Sequence, residues 1–142
     1  MKSLAASSTQ LLAVLRIVSG LLFLEAGIYH LFNWPALPMP AAPPEMASWL
    51  LAAGLLEIVG GPLIILGLFT RPVAFLLSGM MAVAYWGFHA PMGLWPAGNM
   101  GTAAILYCFI FLYIASAGPG AWALDNARSR DLADPAARHS AA

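Results

Sequence analysis

Two glutamates, Glu25 and Glu57, interrupt sequence that is otherwise apolar for long stretches between residues 11 and 117. An ionised carboxylate in such surroundings is costly, at about 2.5 to 3.5 kcal/mol for a charge at mid-membrane. A carboxyl group of that kind is suited to exchanging protons or to holding a polar ligand. The plainer alternative is that each acid is protonated or paired and only joins helices.

Around Glu57, residues Gly54 and Gly61 fall on the same helical stripe, because offsets of three, four and seven return to one face. That stripe should pack closely against a neighbour and turn Glu57 into the bundle near mid-membrane. Gly60, Gly61 and Pro62 follow. Pro62 cannot donate to the carbonyl of Ile58, so a kink or loosening is expected beside Glu57.

On the first apolar stretch, Tyr29 lies four residues after Glu25 and shares its face, whereas His30 turns away from it. Ser78, Ala82, Tyr85 and His89 form another stripe. If these faces meet, Glu25, Tyr29, Tyr85 and His89 surround a polar pocket, with Glu57 left open as a further member. His30 and His89 are also candidate proton or ligand groups, although water or a loop carbonyl would equally satisfy either ring. No His and Glu spacing typical of a metal centre is present, and no metal is expected. Arg16 shares a stripe with Gly20 and Gly27, opposite Glu25, so those two cannot pair directly. A structural or topological role is expected for Arg16, its stem snorkelling toward the nearer end of the helix. Pairing with Glu57 stays open if the two reach one depth.

The elements that must position these groups follow from composition. With 61% hydrophobic and 8% charged side chains over 142 residues and a mean hydropathy of +0.81, the chain has more apolar surface than a soluble domain of this size can bury. Apolar runs near 11–32, 47–69, 72–90 and 101–117 each approach the length of about 20 residues that crosses a bilayer core. Without strict period-two alternation they read as helices rather than barrel strands. The expected fold is all-α, an integral membrane four-helix bundle over residues 1–124, followed by a short polar tail, 125–142, that is partly disordered and contains His139. Lys2 and the run after it resemble a secretory signal, but Arg16, Glu25 and the want of a small-residue cleavage site favour a retained first helix.

Cations assign the topology. Lys2, Arg16, Arg71, Arg128, Arg130 and Arg138 cluster at the termini and at the Thr70-Arg71-Pro72 turn, which places both termini and that turn on the cytoplasmic side. Loops 33–46 and 91–100 then face outward; the first holds five prolines and should form a stiff lid. Trp34, Trp49 and Trp95 read as interface anchors. Cys108 is the single cysteine, which excludes an intramolecular disulfide or dithiol couple. The net charge of zero, with no basic cluster, argues against nucleic acid.

Ordered blocks of this sequence resemble the DoxX family of small four-helix bacterial membrane proteins. They are LRIVSGLLFLEAGIYHLF, GLLEIVGGPLIILGLFTRPVAFLLSGMMAVAYW, FHAPMGLWPAGNMG and ILYCFIFLYIASAGPGAWALD. The stretch from Glu57 through Gly60-Gly61 to Thr70-Arg71-Pro72 and the closing GPGxWxLD are the most specific parts. The resemblance implies Glu57 as a site candidate and Arg71 as a turn anchor. It departs at His30, where relatives commonly carry lysine, and at Met80 and Thr102, where they carry glutamate. It further implies a multi-pass protein of the bacterial inner membrane and a small quinone-linked redox accessory subunit. No haem pair, flavin motif or cysteine couple is present, so no intrinsic cofactor is expected and electrons would reside on a quinone or a redox partner protein. A small-molecule or ion carrier, which calls for a homo-oligomer, and a non-catalytic scaffold are the alternatives.

Overall fold

The computed structural model describes residues 7–38 and 43–133. Lys2, part of the proline-rich loop, and the end of the tail with Arg138 and His139 lie outside the described residues. Helix α1 spans Ser8–Phe32, α2 Ala47–Leu66, α3 Thr70–Ala84 and α4 Thr102–Ala117. A 3-10 turn, Pro44–Met46, leads into α2. A π-helical turn, Tyr85–His89, and a 3-10 turn, Ala90–Met92, prolong α3. A fifth helix, α5, spans Leu124–Ala133.

Ser8–Phe32, Pro44–Leu66 and Thr70–Met92 are long and apolar enough to cross a membrane. Helix α4 is apolar but only 16 residues long, or about 24 Å at 1.5 Å per residue. The outer surface is what a lipid solvent requires. Phe75, Leu76, Val59, Phe109 and Leu106 are exposed, whereas Arg16, Ser19, Glu57, Thr70, Ser78 and Asn99 are buried. That is the reverse of a soluble protein's distribution.

Helix α1 runs along α2 and α3 along α4, while α2 and α3 touch more sparsely. Glycine sets the first pairing: a Cβ at Gly27 would stand 2.8 Å from the Ile58 nitrogen and 2.9 Å from the Glu57 Cβ. Only a hydrogen in that place lets the two backbones approach so closely. The apolar core of Phe23, Ile64, Leu77, Phe111 and Ile114 lies where all four helices converge. Within it the Phe23 ring sits edge-on to Tyr107 and Phe111, at centroid distances of 4.9 and 4.5 Å.

Helix α2 continues through Pro62 to Leu66 without interruption, so the expected loosening is not realised as a break. Pro62 lies one turn from the end of the helix, where packing holds the ladder on either side of it. Residues Leu124–Ala133 are helical, and α5 is tied down at its start. The Asp125 backbone N–H donates to the Gly67 carbonyl and the Asn126 side chain to the Gly120 carbonyl.

Candidate functional site

The stripe carrying Gly54, Glu57 and Gly61 does face α1, and Glu57 is 3% exposed. Its partner is His30. The Nδ1 of His30 lies 2.7 Å from Oε2 of Glu57, making a hydrogen-bonded pair. His30 does turn away from Glu25, because it stands three residues after Gly27, on the close-packed face that meets α2. The periodicity that placed Arg16, Gly20 and Gly27 together also included His30, and following that stripe one step further would have found the pair.

Glu57 is enclosed, while the His30 side chain keeps 27% of its surface accessible. A cavity of about 280 Å³ opens beside it, walled by His30, Leu31, Pro43, Pro44 and Leu50. Tyr29 adds a ring 5.9 Å from the imidazole. With Nδ1 held by a carboxylate, the imidazole is fixed in orientation and Nε2 is the nitrogen that a second group would meet, an arrangement suited to a proton relay. Between α2 and α3 a larger apolar groove of about 670 Å³ runs from Pro72 past Gly79 to Trp49 and Phe88. The last two rings close its end edge-to-face at 5.7 Å.

Other expected members lie elsewhere. Glu25 is exposed on α1, apart from the His30 and Glu57 pair. Tyr85 and His89 belong to a brace at the end of α3. There His89 Nδ1 lies 2.9 Å from the Asn99 carbonyl, and the buried Asn99 side chain bonds the Gly93 carbonyl and the Gly101 N–H. The Tyr85 ring lies against Gly101, where a Cβ would come within 2.8 Å of it. Ser78, Tyr85 and His89 do share one side of α3 and its extension, but that side turns to α4 and the loop before it, where Ser78 bonds the Cys108 carbonyl, rather than to His30. Among the described residues no hydrogen bond or ring contact joins Tyr85 or His89 to His30 or Glu57. Nor do three His, Cys, Asp or Glu side chains gather there as a metal site.

Arg16 and Arg71 act as helix caps. Arg16 is wholly buried, so its stem does not snorkel, and Glu57 is not its partner. Its guanidinium donates to five carbonyls: Ile64 and Ile65 at the end of α2, and Pro119, Ala121 and Trp122 of the loop before α5. Those α2 carbonyls lie seven and eight residues past Glu57, about 11 Å along the axis, so the two charges sit at different depths. A fork of five donors suits a helix C-terminus, whose last carbonyls lack partners and carry partial negative charge. Arg71, the expected turn anchor, caps α4 likewise through Ala115 and Ser116.

Asp125 is a structural residue that the sequence reading passed over. Its two oxygens accept from the backbone N–H groups of Phe69 and Thr70, each at 2.9 Å, capping α3 from 55 residues away. Phe69 has φ of 50°, unusual for a bulky side chain, and Arg128 lies over its ring at 5.3 Å. Burial would raise the Asp125 pKa, but hydrogen bonds from Thr70 and Phe69, with Arg128 nearby, hold the carboxyl below its usual range. The signal was available in sequence: no Ser, Thr, Asp or Asn precedes Thr70 to serve as a local cap.

The pairing of α1 with α2, the whole of α3 and the π-helical turn after it fall within residues 11–90, the stretch that matches the DoxX family pattern. The chain belongs to the DoxX family. An uncharacterized protein of Haemophilus influenzae is 44% identical over 118 residues, covering 81% of this chain and 88% of its own. An uncharacterized membrane protein of Mycobacterium tuberculosis is 28% identical over 131 residues, covering 82% and 80% respectively. No solved structure matches the chain significantly. Like the mycobacterial relative, this DoxX protein is a membrane protein; Glu25, Tyr29, His30, Glu57, Tyr85 and His89 all lie within the matched stretch.

Proposed function

We propose that this DoxX protein is a small redox accessory subunit of the bacterial inner membrane that holds the head group of a lipid-soluble quinone beside His30. The supporting observation is the His30 and Glu57 pair, one member enclosed and the other open to a cavity. A quinone supplies two-electron, two-proton carrier chemistry when bound, and the electrons would come from a partner redox protein. The donor set fits such a group. His30 can donate to a ligand oxygen through Nε2, Glu57 keeps the ring aligned and balances an imidazolium, and Leu31 and Leu50 offer apolar walls. The positive-inside assignment puts the Arg71 and Arg128 end on the cytoplasmic side, and thus His30 toward the outer face.

In the carrier alternative the buried Glu57 would itself be the substrate or proton site, beside Gly60, Gly61 and Pro62, where α2 runs unbroken. The redox reading is tested by purifying the protein in native nanodiscs and identifying bound small molecules and co-purifying proteins by mass spectrometry. A quinone at near-stoichiometric level, lost in Glu57→Gln and His30→Phe, supports the assignment. An empty bundle with a constant protein partner overturns it in favour of a scaffold.

A further inference from the structure

Gly27 and Gly54 stand in the same relation to the His30 and Glu57 pair. Gly27 lies three residues before His30 on α1, and Gly54 three residues before Glu57 on α2, so each shares a side with the paired residue of its own helix. Each also abuts the base of the opposite member. A Cβ built on Gly27 would stand 2.9 Å from the Glu57 Cβ and 2.8 Å from the Ile58 nitrogen, and one built on Gly54 would stand 3.2 Å from the His30 Cβ and 2.8 Å from the Leu31 side chain. Gly20 is packed as tightly, with a Cβ there 2.8 Å from the Ile65 side chain and 2.9 Å from the Gly61 carbonyl oxygen. It lies about 10 Å from Gly27 along the axis and abuts neither member of the pair.

Carbon atoms in ordinary contact stand about 3.5 Å or more apart. The two atoms that a methyl at Gly27 would meet are a backbone nitrogen and a Cβ, and neither can rotate aside. Such a methyl therefore moves α1 from α2 by about 0.7 Å. Carried to the pair, that step takes the 2.7 Å separation of Nδ1 and Oε2 to about 3.4 Å, past the range of a sound hydrogen bond. Glu57 is enclosed and has little room to follow. At Gly54 the nearest atoms belong to the Leu31 side chain, which can turn, so the same methyl displaces less there.

We propose that Gly27 and Gly54 are positioning residues of the site: the hydrogen that each carries in place of a side chain sets the spacing at which His30 meets Glu57. A glycine that only packs helices governs stability, whereas these two also govern how firmly the imidazole is held. The consequence for binding rests on the quinone reading; the alignment of the pair does not.

The test uses the full chain in nanodiscs without added ligand and reads the Nδ1 resonance of His30 by nitrogen NMR, assigned by its loss in His30→Phe. His89, whose Nδ1 meets the Asn99 carbonyl, is the internal reference. The displacement of the His30 resonance in Glu57→Gln sets the scale. Gly27→Ala should reproduce about half of it or more, Gly54→Ala a smaller part, and Gly20→Ala none, although Gly20→Ala lowers stability comparably. In a Glu57→Gln background Gly27→Ala should add nothing, the non-additivity of a residue that acts through the pair. If Gly27→Ala does not fold, Gly54→Ala, whose added carbon meets a movable side chain, carries the same comparisons. Affinity for a short-chain benzoquinone should fall by about threefold to tenfold in Gly27→Ala, and no further when Glu57→Gln is already present. A displaced resonance with benzoquinone binding absent or unchanged upholds the positioning role and overturns the quinone reading instead. An undisplaced resonance in either folded variant, an equal displacement in Gly20→Ala, or a full further displacement in the Glu57→Gln background overturns the proposal.

Discussion

Replacing Arg16 by leucine should be the most damaging single change that leaves the proposed ligand site untouched. The five carbonyls that the guanidinium serves come from two segments, the end of α2 and the loop before α5. A hydrogen bond to a charged group contributes about 1.5 to 3 kcal/mol, and a buried acceptor left without a donor costs about 1 to 3 kcal/mol. Simple addition overstates the loss, because only the bond to Ile64 is fully enclosed and the other four carbonyls are near enough to the surface for water to replace the lost donor. One enclosed acceptor plus partial losses at four others gives about 3 to 5 kcal/mol, comparable with breaking a buried charged interaction from one side. Arg16→Lys should recover less than half of this, since one ammonium with three donors cannot span both segments. Reversible unfolding in mixed micelles, followed by circular dichroism, gives these differences, and limited proteolysis of the α5 end reports the loop separately. A loss below about 1 kcal/mol in Arg16→Leu, or full recovery by Arg16→Lys, would refute the view that Arg16 clamps the two segments.

Three further outcomes are expected. Gly61→Val should drive α1 from α2, because even a Cβ would stand 2.9 Å from the Leu24 nitrogen; a cost of about 1 to 3 kcal/mol is expected in the same unfolding assay. Asp125→Asn should cost about 1 kcal/mol at neutral pH through the weakened cap of α3. Because the folded protein holds Asp125 below its ordinary pKa, that advantage is complete above about pH 4 and shrinks as pH falls through the folded value; a pH series comparing the two proteins should converge in acid. Tyr85→Phe should leave ligand retention unchanged, as Tyr85 serves the Asn99 brace rather than the His30 cavity.

The spans were legible because each is a long apolar run whose backbone has no alternative in lipid, and the inward turn of Glu57 followed from Gly54 and Gly61 at helical spacing. Local periodicity placed Ser78, Tyr85 and His89 on one side but could not say which neighbour that side meets, and it meets α4 and the loop before it. His30 was obscured for a different reason, since it was judged against Glu25 on the outer face and not against Gly27 on the inner one. The roles of Arg16 and Asp125 depend on backbone groups from 48 to 106 and from 55 to 56 residues away. No spacing rule reaches that far. A carbonyl acceptor also leaves no mark in sequence, so a cation that caps a helix reads like one that anchors topology.

The central claim is that His30, aligned by Glu57, contacts a bound quinone, and a binding isotherm tests it most directly. A short-chain benzoquinone is titrated into nanodiscs holding the wild type, Glu57→Gln or His30→Phe, with empty nanodiscs subtracted. The account predicts saturable one-to-one binding to the wild type, weakened about tenfold in Glu57→Gln, where a neutral amide replaces a charge-assisted partner, and further still in His30→Phe. Binding no greater than to empty nanodiscs, or equal affinity in all three proteins, would contradict it.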